Sequence, residues 1–141
     1  MAKSIVAGMV LRALLAGGES ASGDTPPAFD KLVLEIKSSP GKEWSLQMMA
    51  RRCFLSVPQF TRVFRRTFGT SLRQFVILQR VLRAIHLLRE SRTPIQEIAA
   101  SLGYTDHYFF HRQFKTLAGV TPLEVRRGAS TSIDEQTRIR Q

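Results

Sequence analysis

The chain has 141 residues, 43% of them hydrophobic, and a formal net charge of +10. That length and apolar fraction suit one compact domain and exclude a generally disordered chain. A single cysteine, Cys53, excludes an internal disulfide and a cysteine-based metal cluster, and fits a reducing compartment.

The charge is unevenly placed. Residues 42–127 hold 15 Lys/Arg against 5 Asp/Glu, while the remainder is balanced at 6 and 6. A surplus confined to one stretch points to a polyanionic partner, with nucleic acid ahead of an anionic membrane. On charge alone, the competing reading is a solvated basic face.

Residues 5–16 are apolar apart from Arg12. The run is too short to span a membrane, and the internal arginine argues against a secretory signal. An amphipathic helix is expected there, packing on a partner, a second copy or a missing domain. Residues 17–27 are rich in Gly, Ser, Ala and Pro and read as a linker. The expected division is residues 1–28 as an N-terminal segment and linker, 29–127 as the domain, and 128–141 as a flexible polar tail.

Within the domain a short helix is expected over 30–38, with Leu32, Val33 and Ile36 on one face. Ser45 then caps a second helix over 46–53, which buries Leu46, Met49 and Ala50 and places Cys53 as a small core residue. Ser56 caps a third over 57–68, with Pro58 in its first turn and Gly69 as the stop. A longer helix follows over 71–90. Thr93 as cap and Pro94 as first helical residue open a fifth helix ending near Leu102. Gly103 makes a turn, Asp106 caps the sixth helix, Gly119 ends it, and a last short helix runs from Thr121-Pro122 to Arg127. No stretch alternates with period two, so an all-α fold without a sheet is expected.

The central stretch is one pattern written twice. Ser45-Leu-Gln-Met-Met-Ala50 reappears as Pro94-Ile-Gln-Glu-Ile-Ala99, and Phe60, Arg62, Phe64 and Gly69 reappear as Phe110, Arg112, Phe114 and Gly119. Each copy reads as helix, tight turn, helix. In the second helix of each copy Phe60, Val63, Phe64 and Thr67, or Phe110, Phe114 and Leu117, share one face by helical spacing and form the core face. The opposite stripes are Pro58, Thr61, Arg62 and Arg65 in one and Tyr108, His111, Arg112 and Lys115 in the other, each 50 residues apart. Such stripes suit a major groove. Arg62 and Arg112 can pair bidentately with guanine, and Pro58, Gln59, Thr61, Tyr108 and His111 are the further base-contact candidates. Ser56, Arg65, Arg66, Thr105 and Lys115 are the phosphate-contact candidates. A joining helix of roughly 20 residues spans roughly 30 Å, close to the repeat of the duplex. Among Arg73, Arg80 and Arg83 of that helix, Arg80 stands among apolar neighbours and is expected to be structural.

The chain resembles the C-terminal DNA-binding domain of the AraC/XylS family of bacterial transcription regulators. The match is carried by Ile95-Gln-Glu-Ile-Ala99, Leu102-Gly-Tyr-Thr-Asp106, Phe110, Arg112, Phe114-Lys115, Gly119-Val-Thr-Pro122 and Arg126. Trp44-Ser-Leu46, Ala50, Ser56, Phe60, Arg62, Phe64-Arg65, Gly69, Arg80, Ala84 and Leu87-Leu88 extend it through the first copy and the joining helix. The resemblance implies a seven-helix, bilobed fold of two helix-turn-helix motifs and control of a promoter. Phe54 stands where the family usually has glycine, which predicts a strained first turn, and Tyr108 stands where a small residue is common. Family members usually carry an N-terminal sensing or dimerising domain; the 28 residues preceding the domain resemble the end of one.

The expected partners are therefore double-stranded promoter DNA, RNA polymerase, and a second copy through the N-terminal segment, in the cytoplasm beside the nucleoid. No membrane partner, cofactor or enzymatic step is expected. His107 and His111 lie at i, i+4, a spacing that can hold a metal, but no third ligand or catalytic carboxylate accompanies them. The rival to a DNA reader is a truncated protein-interaction module acting on polymerase or a related regulator.

Overall fold

A computed structural model describes residues 27–139. The expected N-terminal helix over 5–16 and the linker up to residue 26 lie outside the described residues, while Pro27, expected to end that linker, already opens the first helix. Eight helices follow: α1 Pro27–Ser38, α2 Leu46–Arg52, α3 Val57–Phe68, α4 Leu72–Glu90, α5 Ile95–Ser101, α6 His107–Ala118, α7 Pro122–Arg126 and α8 Ser132–Ile139. There is no strand among the described residues.

Local chemistry sets most helix ends. The Ser45, Ser56 and Ser71 hydroxyls accept from the backbone N–H groups of Met48, Gln59 and Gln74, which would otherwise lack intrahelical partners. Ser56 with Gln59 and Thr121 with Glu124 complete reciprocal capping boxes. α3 and α6 stop at Gly69 and Gly119, whose φ of 73° and 79° few side chains tolerate. One expected cap is corrected. Pro94, with ψ 144°, occupies the N-cap position of α5 without a side-chain cap, so the helix starts at Ile95. Thr93 instead accepts from the Ser91 hydroxyl at 3.1 Å.

α1 begins three residues earlier than its apolar periodicity suggests, because Phe29 is an aromatic anchor with no exposed surface. Its ring stacks on Phe60 at 5.1 Å, in a cluster continued by Phe64, Phe68 and Phe75. That cluster is the core of the first lobe. The second lobe closes around Phe110, Phe114 and Tyr104, with Tyr104 at 5.1 Å from Phe110. In both second helices the buried ladder is i, i+4, i+8. Phe68 and Ala118 are buried, while Thr67 and Leu117 are half-buried.

The linker helix α4 packs against α1, α3, α5, α6 and α7, and so belongs to both lobes. Arginines fasten its surroundings. Arg80 donates to the carbonyls of Pro40 (2.8 Å) and Lys42 (3.1 Å), Arg83 to that of Ser38, and Arg126 of α7 to those of Leu88 and Ser91. The structural role expected of Arg80 is thus observed. The lobes meet backbone to backbone: a Cβ on Gly41 would lie 2.4 Å from the Ser101 carbonyl oxygen, and one on Gly103 2.7 Å from that of Gly41. Glycine is required at both places by this approach.

The polar tail expected after Gly128 is corrected over 132–139, which form α8 against α6. Asp134 accepts from the Thr131 backbone N–H (2.7 Å) and pairs with Arg89 at 2.6 Å, while Ile133 is buried. Residues 132–139 carry too few apolar positions to reveal this docking by periodicity; a Thr-x-x-Asp cap and one isoleucine suffice.

Candidate nucleic-acid interface

The two reading units are superposable in their hydrogen bonding. At the turn between α2 and α3, the Phe54 N–H donates to Arg51 O and the Leu55 N–H to Ala50 O, at 3.1 and 3.0 Å. At the turn between α5 and α6, Gly103 donates to Ala100 O and Tyr104 to Ala99 O, both at 3.1 Å. Ala50 and Ala99 are each 2% exposed, so each allows the close helix crossing that the motif needs. The apex of each turn has positive φ, 57° at Phe54 and 88° at Gly103. The strain expected of Phe54 is therefore present, and its side chain is 95% exposed.

On α3, Pro58, Gln59, Arg62, Arg65 and Arg66 are exposed. Gln59 is partly committed, since its side-chain carbonyl accepts the Ser56 N–H at 2.9 Å, leaving the amide hydrogens to face outward contacts. Ser56 is exposed at the helix start, where backbone N–H groups and the positive end of the helix favour a phosphate. Thr61 is half-buried and turns to the groove between the lobes, away from the stripe expected for it.

On α6, Tyr108 is 75% exposed and Arg112 and Lys115 are exposed, as is Thr105 before the helix. Asp106 accepts from the Tyr108 and Phe109 N–H groups at 2.9 and 3.3 Å. The Arg112 guanidinium sits 6.0 Å from the Phe109 ring centroid, a cation–π contact that narrows its rotamers. His111 is half-buried, with its ring 4.4 Å from that of His107. Burial first, and the neighbouring His107 second, push the His111 pKa below its usual value, so it favours the neutral form. Among the described residues no group of three metal-capable side chains forms.

Phe109 and Thr116 are missed by the sequence reading. Thr116 lies with His111, Arg112, Lys115 and Thr121 along a shallow surface depression on α6 and the start of α7. Phe109, three positions before Arg112, was legible as a cation–π neighbour by helical spacing. Behind α6, Gln113 accepts from the buried Tyr104 hydroxyl at 2.6 Å, and Tyr104 lies under Arg80 at 5.6 Å. Burial raises the Tyr104 pKa, so it stays a neutral donor. The recognition helix is thereby tied to the linker arginine through one tyrosine.

The family model described as a helix-turn-helix domain matches residues 49–128, more than half of the chain. The arabinose operon regulatory protein of Escherichia coli strain K12 is 28% identical over 92 residues, covering 65% of this chain and 32% of the relative. The transcriptional activator RhaS of Escherichia fergusonii is 28% identical over 120 residues, 85% of this chain and 42% of that protein. The chain spans about a third of the length of the first curated relatives it matches. Among solved structures, the DNA-binding domain of AdpA, a global transcriptional factor in complex with a target DNA, is similar with a TM-score of 0.66 and 27% identity, over 72% of this chain and 90% of that one. The C-terminal domain of AraT from Geobacillus stearothermophilus gives a TM-score of 0.67 and 26% identity, over 75% and 88%. With its duplicated turns, linker helix and matched residues, the chain belongs to the AraC-type helix-turn-helix family of transcription regulators.

Proposed function

We propose that residues 29–127 are a sequence-specific reader of double-stranded promoter DNA, placing α3 and α6 in successive major-groove segments. The observation that carries this is the 50-residue register of exposed cations on two helices set by equivalent turns, Arg62 with Arg112 and Arg65 with Lys115. Nineteen residues of linker at about 1.5 Å each span about 28 Å, near the spacing of major-groove segments on one face of a duplex. Arg62, Arg112, Pro58, Gln59, Tyr108 and His111 serve base edges, whereas Thr61, turned into the interlobe groove, is withdrawn from that set. Ser56, Arg65, Arg66, Thr105 and Lys115 hold phosphates, which position without specifying.

The reading extends to activation of transcription beside RNA polymerase in the cytoplasm, with a second copy met through the N-terminal segment. It calls for no cofactor and no catalytic step. No helix among the described residues is long and apolar enough to cross a membrane. The similar AdpA domain, solved with a target DNA, supports the assignment. The test is fluorescence anisotropy with duplexes selected from random sequence. Enrichment of a site with two separated half-sites is expected, with affinity falling as salt rises. Failure to enrich any sequence, or affinity indifferent to salt, would overturn it.

A further inference from the structure

A cleft of about 370 Å³ lies between the lobes. Trp44 and Phe64 wall it from the first lobe, Val76 and Ile77 from the linker helix, and Phe109 from the second lobe. This volume is within the range that holds small organic ligands, and its walls are largely apolar and aromatic, as such sites are. Its polar residues are Thr61, Ser71, Gln113, Arg73 and Arg80. The charged residues that line it, Arg73 and Arg80, are both arginine, and no acid lines it. Arg80 is already spent on the carbonyls of Pro40 and Lys42. Arg73 is exposed at the linker helix N-terminal end, and Gln113, whose carbonyl accepts Tyr104, has its amide hydrogens left to donate. Thr61 adds a hydroxyl. Donors without a matching acid select an acceptor that carries negative charge.

We propose that this interlobe cleft is a binding site for a small aromatic carboxylate, with the ring among Trp44, Phe64 and Phe109 and the acid group at Arg73. The assignment stands apart from the DNA-reading proposal, because it rests on the cleft and not on the outer stripes. An occupant touches both lobes and the linker at once, so it holds one lobe spacing over others. The cleft is also equipped with its own reporter, since Trp44 is the only tryptophan of the chain.

The probe is 1-naphthoate, with 1-naphthalenemethanol as its uncharged counterpart, added to the full chain. Binding is followed by calorimetry and by the single indole N–H resonance of Trp44. Saturable binding of 1-naphthoate that shifts this resonance is expected. Arg73→Ala should weaken 1-naphthoate about fivefold, the scale of an exposed ion pair, and leave the alcohol within about twofold. Val76→Phe should fill the cleft and abolish both; if that variant does not fold, Thr61→Phe fills it from the less buried α3 side. Absence of a Trp44 shift, equal affinity for acid and alcohol in the unsubstituted chain, or binding untouched by Arg73→Ala and by cleft filling would each overturn the proposal.

Discussion

Phe54 and Gly103 occupy the same place in the two copies of one turn, and their residue types make opposite predictions. Phe54 holds φ at 57°. A side chain in the left-handed region costs about 1–2 kcal/mol, because Cβ crowds the following carbonyl. At 95% exposure the ring recovers almost none of this through burial. Phe54→Gly should relieve the strain but add freedom to the unfolded chain, worth about 0.5–1 kcal/mol against it. The net is a gain of about 0.5–1 kcal/mol, or a rise of about 2–5 °C in Tm for a domain of this size. Gly103→Ala should do the reverse. It takes the left-handed penalty at φ 88° and sets a Cβ 2.7 Å from the Gly41 carbonyl oxygen, so a loss of about 2 kcal/mol or more is expected. Thermal unfolding followed by circular dichroism at 222 nm measures both. A Phe54→Gly variant that melts at or below the parent temperature would refute the reasoning, by showing that the ring or its backbone earns stability.

Arg112→Ala should weaken binding to the selected duplex by about 1–3 kcal/mol and relax preference at one base position, whereas Lys115→Ala should weaken all sequences alike; anisotropy against a panel of single-base variants separates them. Gly41→Ala puts a Cβ 2.4 Å from the Ser101 carbonyl oxygen, so the lobes must shift, and binding to a duplex with both half-sites should fall more than binding to either half-site alone. Asp134→Asn should destabilise the chain by about 1 kcal/mol, since it removes a charged cap and its ion pair with Arg89. The Arg89 guanidinium holds the Asp134 carboxyl well below the usual range, so its contribution is complete above about pH 4 and is lost as pH falls through the lower, folded-state value. Urea melts of parent and variant at pH 7 and at pH 3 should differ less at the lower pH.

Much of the fold could be read from residue spacing because the motif's physics is local. Caps such as Ser45, Ser56 and Asp106, the stop at Gly69 and the repeat at Gly119 act within one turn of helix, and Phe60, Phe64, Phe110 and Phe114 repeat with helical period. The misreadings arise where an element depends on distant contacts. α8 exists because Asp134 meets Arg89 and Ile133 finds a core, 45 residues from the nearest clue. Pro94 sits outside α5 because its ψ of 144° is extended rather than helical, which residue type alone does not reveal. At the interface, helical periodicity put Arg62 and Arg112 on the outside, where they are. It misdirected Thr61 because a 100° step cannot tell the outer face from the flank that meets the opposite lobe. The cleft itself is invisible in sequence, since its walls come from residues up to 69 positions apart.

Net charge and DNA contact are different quantities here, and the structure separates them. Among the described residues, five arginines are held by ion pairs or hydrogen bonds within the protein: Arg52 with Glu35, Arg89 with Asp134, and Arg80, Arg83 and Arg126 with backbone carbonyls. They fasten the lobes and the linker while still adding to the formal +10. The cations presented by the two reading helices are Arg62, Arg65, Arg66, Arg112 and Lys115. If counterion release followed net charge, the slope of log affinity against log salt would approach about −9; the three of these assigned to phosphates, Arg65, Arg66 and Lys115, give about −2.7. The smaller value is expected, because removing Arg80 from Pro40 to reach a phosphate would undo the junction that sets the helix spacing. A slope near −9 would mean that cations outside the two reading helices also reach phosphates, and the assignment of phosphate contact to these helices alone would then fail.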